Sequence, residues 1–282
     1  MKILRALLLA ATLSVVLVVQ GAAGDWKKVK IATEGAYPPW NFVDASGNLV
    51  GFEIDLAKDL CARMHVACVV VPQQWRGIIK GLNAGKYDAI MAAMSITEDR
   101  KKQVTFSRNY ASTPNVFIVR KDSPAANFRT ELERLTLDDI SPAEQEAIDA
   151  IVKEFSNKAI GVQVATTHAK FAEDYLGSHA DIRIYDFQYA IDLDLYQGRL
   201  DAVIGDYAYW QPLIQSEQGK EYKIVGPHMT GGPFGGGIGV AVRKQDQDLA
   251  DMFSREIDEM IRAGSLKKLA IKWFHYDASA KE

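Results

Sequence analysis

Gly85-Lys86-Tyr87-Asp88-Ala89-Ile90 recurs as Gly198-Arg199-Leu200-Asp201-Ala202-Val203, and each copy leaves a helical stretch to enter an apolar strand. Copies so far apart are no short-period repeat; they predict two similar α/β lobes in one chain. Around the first copy, residues 29–33 and 68–71 read as strands, and 88–94 as the next strand. Helices are expected from Glu53 to Met64 and through Ile78, Ile79 and Leu82. Around the second copy, residues 159–162, 182–184 and 202–205 read as strands, with a helix opening at Thr166-Thr167. This alternation predicts mainly parallel sheet in each lobe. Residues 116–119 read as a strand leaving the first lobe, and a helix is expected through 144–155. The strand at 238–242 and the helices at 249–263 and 266–274 are expected to return to the first lobe. The lobes are thus placed at 24–114 plus 227–282 and at 115–226. Their hinge falls near 111–116 and the Gly/Pro-rich 226–237.

The chain of 282 residues is 48% hydrophobic and 24% charged, ordinary for a globular protein, and its formal charge of −3 argues against non-specific nucleic-acid binding. The first 23 residues read as a signal peptide: Lys2 and Arg5, an apolar run over 6–19, then Gly21-Ala22-Ala23 for cleavage. Their removal takes away two positive charges and no acid, which brings the charge to −5. The expected product is exported and soluble, in the periplasm of a Gram-negative source, with no cysteine at the cleavage region to carry a lipid.

Cys61 and Cys68 lie at the end of an expected helix and the start of the next strand. Export favours a disulfide between them, worth about 2–3 kcal/mol in the chain-entropy model; two buried thiols are the other reading. Without matched histidines, a structural zinc site is not expected.

In Ala92-Ala93-Met94-Ser95-Ile96-Thr97-Glu98-Asp99-Arg100, an apolar strand breaks off at a hydroxyl and a guanidinium follows five residues later. A strand end offers unpaired N–H groups, Ser95 adds Oγ, and Arg100 adds a planar fork that matches a carboxylate. Such a corner can hold an α-carboxylate and an α-ammonium side by side. It points to a receptor for a free amino acid or a close derivative. On local pattern alone, Arg100 would be a solvated helix residue and Ser95 a helix cap.

The chain resembles the solute-binding proteins of ABC importers, in the polar amino-acid group that includes lysine/arginine/ornithine-, histidine- and opine-binding members. The resemblance rests on Gly51-Phe52-Glu53-Ile54-Asp55-Leu56 with Leu60-Cys61 and Met64, on Ser95-Ile96-Thr97 with Arg100, and on the Cys61/Cys68 pair. Gly198-Arg199-Leu200-Asp201-Ala202 and Lys272-Trp273-Phe274 match as well, so it covers the chain beyond the leader. It implies a type II periplasmic-binding-protein fold: two lobes, each a β-sheet flanked by helices, joined by a two-stranded hinge and closing on a ligand. It also implies a monomer that delivers its ligand to membrane permease subunits, with no cofactor and no metal. By resemblance, Arg100 takes the α-carboxylate with help from Ser95 and the N–H of Thr167, and Asp206 takes the α-ammonium with Ser95. Tyr37 and Trp75 sandwich the ligand side chain, and Glu34 meets a distal cation. Ala92, Ala93 and Met94 border the site, with Gln163, Thr166 and His168 opposite.

An aromatic slot ending in a carboxylate favours a cation, so arginine, ornithine or lysine is the expected ligand. Basic amino-acid binders usually carry hydroxyls where this chain has Ala92 and Ala93. Those small residues look more like opine binders, so an opine or other N-substituted amino acid is the alternative. A rival of another class is an enzyme resembling cyclohexadienyl dehydratases, with Glu34 as acid/base. No nucleophile constellation supports it, and the expectation is a binding protein without enzymatic activity.

Overall fold

Two sheets organise the chain, and each is covered by helices. The computed structural model describes residues 26–281; the signal peptide expected over residues 1–23 lies outside the described residues. In chain order come β1 (Lys28–Thr33), β2 (Ala36–Tyr37), β3 (Asn41–Val43), β4 (Leu49–Val50), α1 (Phe52–Arg63) and β5 (Ala67–Pro72). Next are α2 (Ile78–Asn83), β6 (Ala89–Ile90), α3 (Glu98–Lys101) and β7 (Thr105–Ala111). The chain then crosses over to β8 (Asn115–Arg120), β9 (Arg134–Thr136), α4 (Pro142–Phe155), β10 (Ala159–Gln163), α5 (Thr167–Phe171) and β11 (Asp181–Tyr185). The second lobe ends with α6 (Gln188–Tyr196), β12 (Ala202–Asp206), α7 (Tyr207–Ile214) and β13 (Tyr222–Thr230). After a glycine-rich turn, β14 (Ile238–Val242), α8 (Gln247–Arg262) and α9 (Ser265–Phe274) return to the first sheet.

The first sheet has the order β5-β1-β6-β14-β7 and the second β11-β10-β12-β8-β13-β9. Mainly parallel sheets were the expectation, but both sheets are mixed. The β1–β5, β1–β6, β10–β11 and β10–β12 pairs are parallel, whereas β14 and β8 each run antiparallel to two neighbours. Both antiparallel strands adjoin the crossovers, where the chain enters a sheet from the other lobe rather than through a local helical return.

Helices bury one stripe each. On α8, Leu249, Phe253, Ile257 and Met260 recur at helical spacing and pack on β7 and β14. In the first lobe, Trp40, Phe52 and Phe274 make a fully buried aromatic cluster. Ser141 opens α4 with a capping box closed by Glu144. Cys61 and Cys68 form a disulfide between α1 and the second residue of β5.

Gly51 positions the start of α1. At φ 129° it lets Phe52 N–H reach Pro39 O and Glu53 N–H reach Trp40 O, both at 2.9 Å. A Cβ there would lie 2.4 Å from Trp40 O. The seating delivers Glu53, a carboxylate in the first turn of the helix, into the core beside the cleft.

The strand expected through Met94 ends at Ile90. Beyond it the backbone turns through Ala93 at φ 49°, whose N–H donates to Glu53 Oε1 at 2.8 Å. This turn is what aims the following residues at the cleft. At the far crossover, β13 carries the second sheet on to Thr230, past residue 226 where the second lobe was expected to end. A register shift between Val225 and Met229 accommodates Gly226-Pro227 inside the strand.

Candidate functional site

A cavity lies between the lobes. From the first lobe it receives Glu34 and Tyr37 after β1, Trp75 ahead of α2, and Ala92, Ala93, Ser95 and Arg100 after β6. From the second it receives Asn115 of β8, Gln163 at the end of β10, Thr166, Thr167 and His168 at the start of α5, Gln188 of α6 and Asp206 at the end of β12. The structure therefore brings every expected site residue here except Met94. That side chain is fully buried in the core with Ile78, Leu82 and Val104, and borders a surface groove on the other side of Arg100. The alternation broken at Ala93 turns Met94 inward. Asn115 and Gln188 line the cavity and had no local signal.

Arg100 sits on the four-residue α3, which is capped by Thr97, whose Oγ1 accepts from Arg100 N–H at 3.3 Å. The cap at Thr97 leaves Ser95 out of the helix. Arg100 Nη1 donates to Ser95 O at 2.9 Å, and Nη2 donates to Ala165 O of the other lobe at 3.2 Å. Its guanidinium carbon lies 5.2 Å from the centre of the Trp75 ring. Only 9% of the residue is exposed, and burial lowers its pKa to about 10, so it stays a cation at neutral pH. Among the described residues no carboxylate pairs with it.

Asp206 is the matching anion. Its Oδ1 accepts from Ala208 N–H at 2.6 Å, which caps α7, and from Thr113 Oγ1 at 3.2 Å. Burial raises its pKa to about 7, with Glu53 adding repulsion against those hydrogen bonds. No cation among the described residues neutralises it. Ser95 stands near both groups, with its N–H and Oγ free of protein partners among the described residues.

Across the cleft, Thr166 rather than Thr167 caps α5: its Oγ1 accepts from Ala169 N–H at 3.1 Å and donates to Gln163 O at 2.6 Å. Thr167 thereby becomes the first helical residue, with its N–H at the positive end of the turn. The preceding Ala165 is held at φ 58°, the counterpart in this lobe of Ala93. His168 Nε2 lies 2.8 Å from Asn115 Oδ1. Asn115 Nδ2 donates to Met229 O at 3.3 Å, so Oδ1 is the acceptor and His168 Nε2 carries the proton. Burial and the Arg100 charge lower the His168 pKa to about 4, which keeps it neutral.

At the tail end, Gln163 Nε2 donates to Glu34 Oε1 at 2.8 Å and to Asp186 O at 3.2 Å. Burial raises the Glu34 pKa against the opposing Gln163 hydrogen bond. Tyr37 stacks on Tyr209 with ring centres 4.6 Å apart, and Tyr209 OH donates to Asp192. Asp192 also accepts from Gln188 Nε2 at 2.8 Å, and burial raises its pKa to about 6. One face of Tyr37 is thus taken by the protein, and Trp75 also serves Arg100 and donates through Nε1 to Val164 O at 3.0 Å.

This arrangement can clasp a zwitterion, carboxylate toward Arg100 and ammonium toward Asp206, with a side chain running between aromatics to an acid. It matches what known proteins resemble it. A family described as bacterial extracellular solute-binding proteins, family 3, matches residues 29–276. An octopine-binding periplasmic protein of Rhizobium meliloti is 38% identical, over 92% of this chain and 94% of that one. An L-arginine-binding protein of Pseudomonas aeruginosa is 33% identical, over 96% of each chain. Among solved structures, an ancestral arginine-binding protein bound to arginine superimposes with a TM-score of 0.73 at 29% identity, covering 88% of this chain and 98% of that one.

Proposed function

Because the chain belongs to the bacterial extracellular solute-binding proteins of family 3, we propose that it closes its lobes on a cationic amino acid of the arginine, ornithine or lysine type. It delivers that ligand to the permease of an ABC importer, working in the periplasm as a monomer after cleavage of a signal peptide. One observation carries the reading. Arg100 and Asp206 are buried charges of opposite sign, from opposite lobes, and neither has a counter-ion among the described residues. Burying an unpaired charge is costly, so the pair is explained by a ligand that supplies both missing partners. An α-amino acid does so with its two head groups.

The tail subsite selects the side chain. Glu34 faces the slot from one lobe and Asp192 stands behind it in the other, so a guanidinium or ammonium is favoured over a neutral tail. Contacts to both lobes make closure ligand-dependent. The Arg100–Ala165, Trp75–Val164 and Gln163–Glu34 hydrogen bonds span the cleft between the lobes. One feature supports binding rather than chemistry: His168 is held neutral with its proton committed to Asn115.

Thermal unfolding measured against a panel of amino acids tests this. A ligand at 100 times its Kd stabilises by about 2.7 kcal/mol through mass action. Arginine, ornithine or lysine should raise the midpoint by several degrees, with neutral amino acids having less effect. A panel in which neutral or acidic amino acids give the largest shifts refutes the tail assignment. No shift with any amino acid refutes the function.

A further inference from the structure

Asp192 is a charged group that neither the head-group pair nor Glu34 explains. Gln188 opens α6 and Asp192 follows one turn later, so their side chains lie on one side of the helix. Gln188 lines the cavity and is only 4% exposed, whereas Asp192 is not among the residues lining it. Asp192 Oδ1 accepts from Gln188 Nε2 at 2.8 Å, and its Oδ2 accepts from Tyr209 OH. Both oxygens are thus tied, which fixes the rotation of the carboxylate.

These two partners are neutral donors, and among the described residues no cation pairs with Asp192. On stability alone a carboxylate is not favoured here, since burial disfavours its charge and raises its pKa to about 6. What the charge achieves is geometric. An ionised carboxylate only accepts, so the Gln188 amide must turn its NH₂ toward Asp192. Gln188 Oε1 is then the polar atom left for the cavity, and it makes no hydrogen bond among the described residues.

We propose that Asp192 is a positioning residue for the tail subsite, holding the Gln188 amide with Oε1 toward the distal cation of the ligand. That oxygen accepts from the cation on the second-lobe side, while Glu34 meets it from the first lobe. An amide without this anchor is free to turn its NH₂ inward, where it opposes a cation. Selectivity for a charged tail is thereby set in part by a residue outside the cavity. The inference rests on the proposed binding of a cationic amino acid.

Titration calorimetry with L-arginine and L-citrulline, its neutral isostere, tests this on the wild type, Asp192→Leu, Gln188→Leu and the double variant. Gln188→Leu should weaken arginine by about tenfold, the loss of one hydrogen bond to a charged group, and citrulline by less than about threefold. Asp192→Leu should show the same selective loss. Because Asp192 acts through Gln188, the double variant should bind arginine within about threefold of Gln188→Leu alone. Losses that multiply to about 100-fold would mean that the Asp192 charge acts on the ligand by itself, which overturns the positioning role. Equal losses for both ligands, or unchanged arginine affinity in Asp192→Leu, overturn it too and leave the proposed function standing. Should Asp192→Leu not fold, Asp192→Asn keeps the volume, puts a donor in place of one acceptor, and is read by the same outcomes. A wild type that binds neither ligand ends the inference together with the function.

Discussion

Gln163 Nε2 donates to Glu34 Oε1 at 2.8 Å across the cleft, so the acid of one lobe is steered by an amide of the other. The bond leaves Glu34 the unshared lone pairs a cation needs and fixes which way its carboxylate faces. It is also a direct hydrogen bond between the two lobes at this end of the cavity.

Glu34→Gln follows directly. The substitution keeps size and hydrogen bonding but removes the charge. Arginine affinity should fall by about 10- to 100-fold, the value of one or two charge-assisted hydrogen bonds. A neutral ligand such as glutamine should lose little or gain. Calorimetry with both ligands checks it, and equal losses would show that Glu34 holds the cleft closed rather than reading the tail.

Binding should release protons, because Asp206 has a pKa of about 7 in the ligand-free protein. Its folded value lies above its unfolded one of about 3.9. The burial penalty is therefore absent below pH 4, grows as pH rises, and is complete above pH 7. An ammonium against the carboxylate reverses that penalty. At pH 6 close to one proton should leave per ligand bound, with Glu34, also raised, adding to it at lower pH. Affinity should rise from pH 5 to 7 and level off above. Calorimetry in two buffers of different ionisation enthalpy reads the release, and Asp206→Asn should abolish most of it. Buffer-independent heats at pH 6 would contradict the assignment.

Arg100 separates binding from folding. Its guanidinium is buried without a carboxylate, so it costs the ligand-free protein stability that the ligand recovers. Arg100→Met should lower affinity by at least about 100-fold, since it removes a bidentate charged partner. The ligand-free midpoint should move by no more than about 3 °C. A large drop in that midpoint would mean that the bonds to Ser95 O and Ala165 O hold the fold.

Much of this was legible in residue order. The buried strands β8, β10, β12 and β14 are short apolar runs, and the paired Gly-x-x-Asp-Ala segments mark the entries of β6 and β12. Strand β7 was not, because Thr105-Phe106-Ser107-Arg108-Asn109 mixes polar and apolar residues without a clear period. Its pairing with β14 and its cover by α8 decide it. Gly226-Pro227 hid β13 for a local reason that a bulge then resolves. At the site, Arg100, Ser95 and Asp206 were carried by motif. Asn115 reads as the start of an apolar strand, and Gln188 as a helix residue. Neither has a local pattern that marks it as lining the cavity between the lobes.

Glu53 is where sequence pattern and site converge. It lies in the first turn of α1, only 1% exposed, and accepts from Asn41 Nδ2 at 2.6 Å, Ala93 N–H at 2.8 Å and Tyr110 OH. Asn41 Oδ1 in turn accepts from Gly35 N–H at 2.7 Å. One carboxylate thus ties the loop carrying Glu34 to the turn carrying Ser95 and to the strand entering the hinge. Glu53→Ala strands three buried donors and should destabilise by about 3–5 kcal/mol, seen as a lower midpoint in urea. Glu53→Gln keeps the volume and one acceptor oxygen but must turn an NH₂ toward one of those donors. It should therefore fold, with arginine affinity reduced by about tenfold through misplacement of Glu34 and Ser95. If Glu53→Gln binds arginine as tightly as the wild type, the three hydrogen bonds support the core alone and the two loops are set by their own turns.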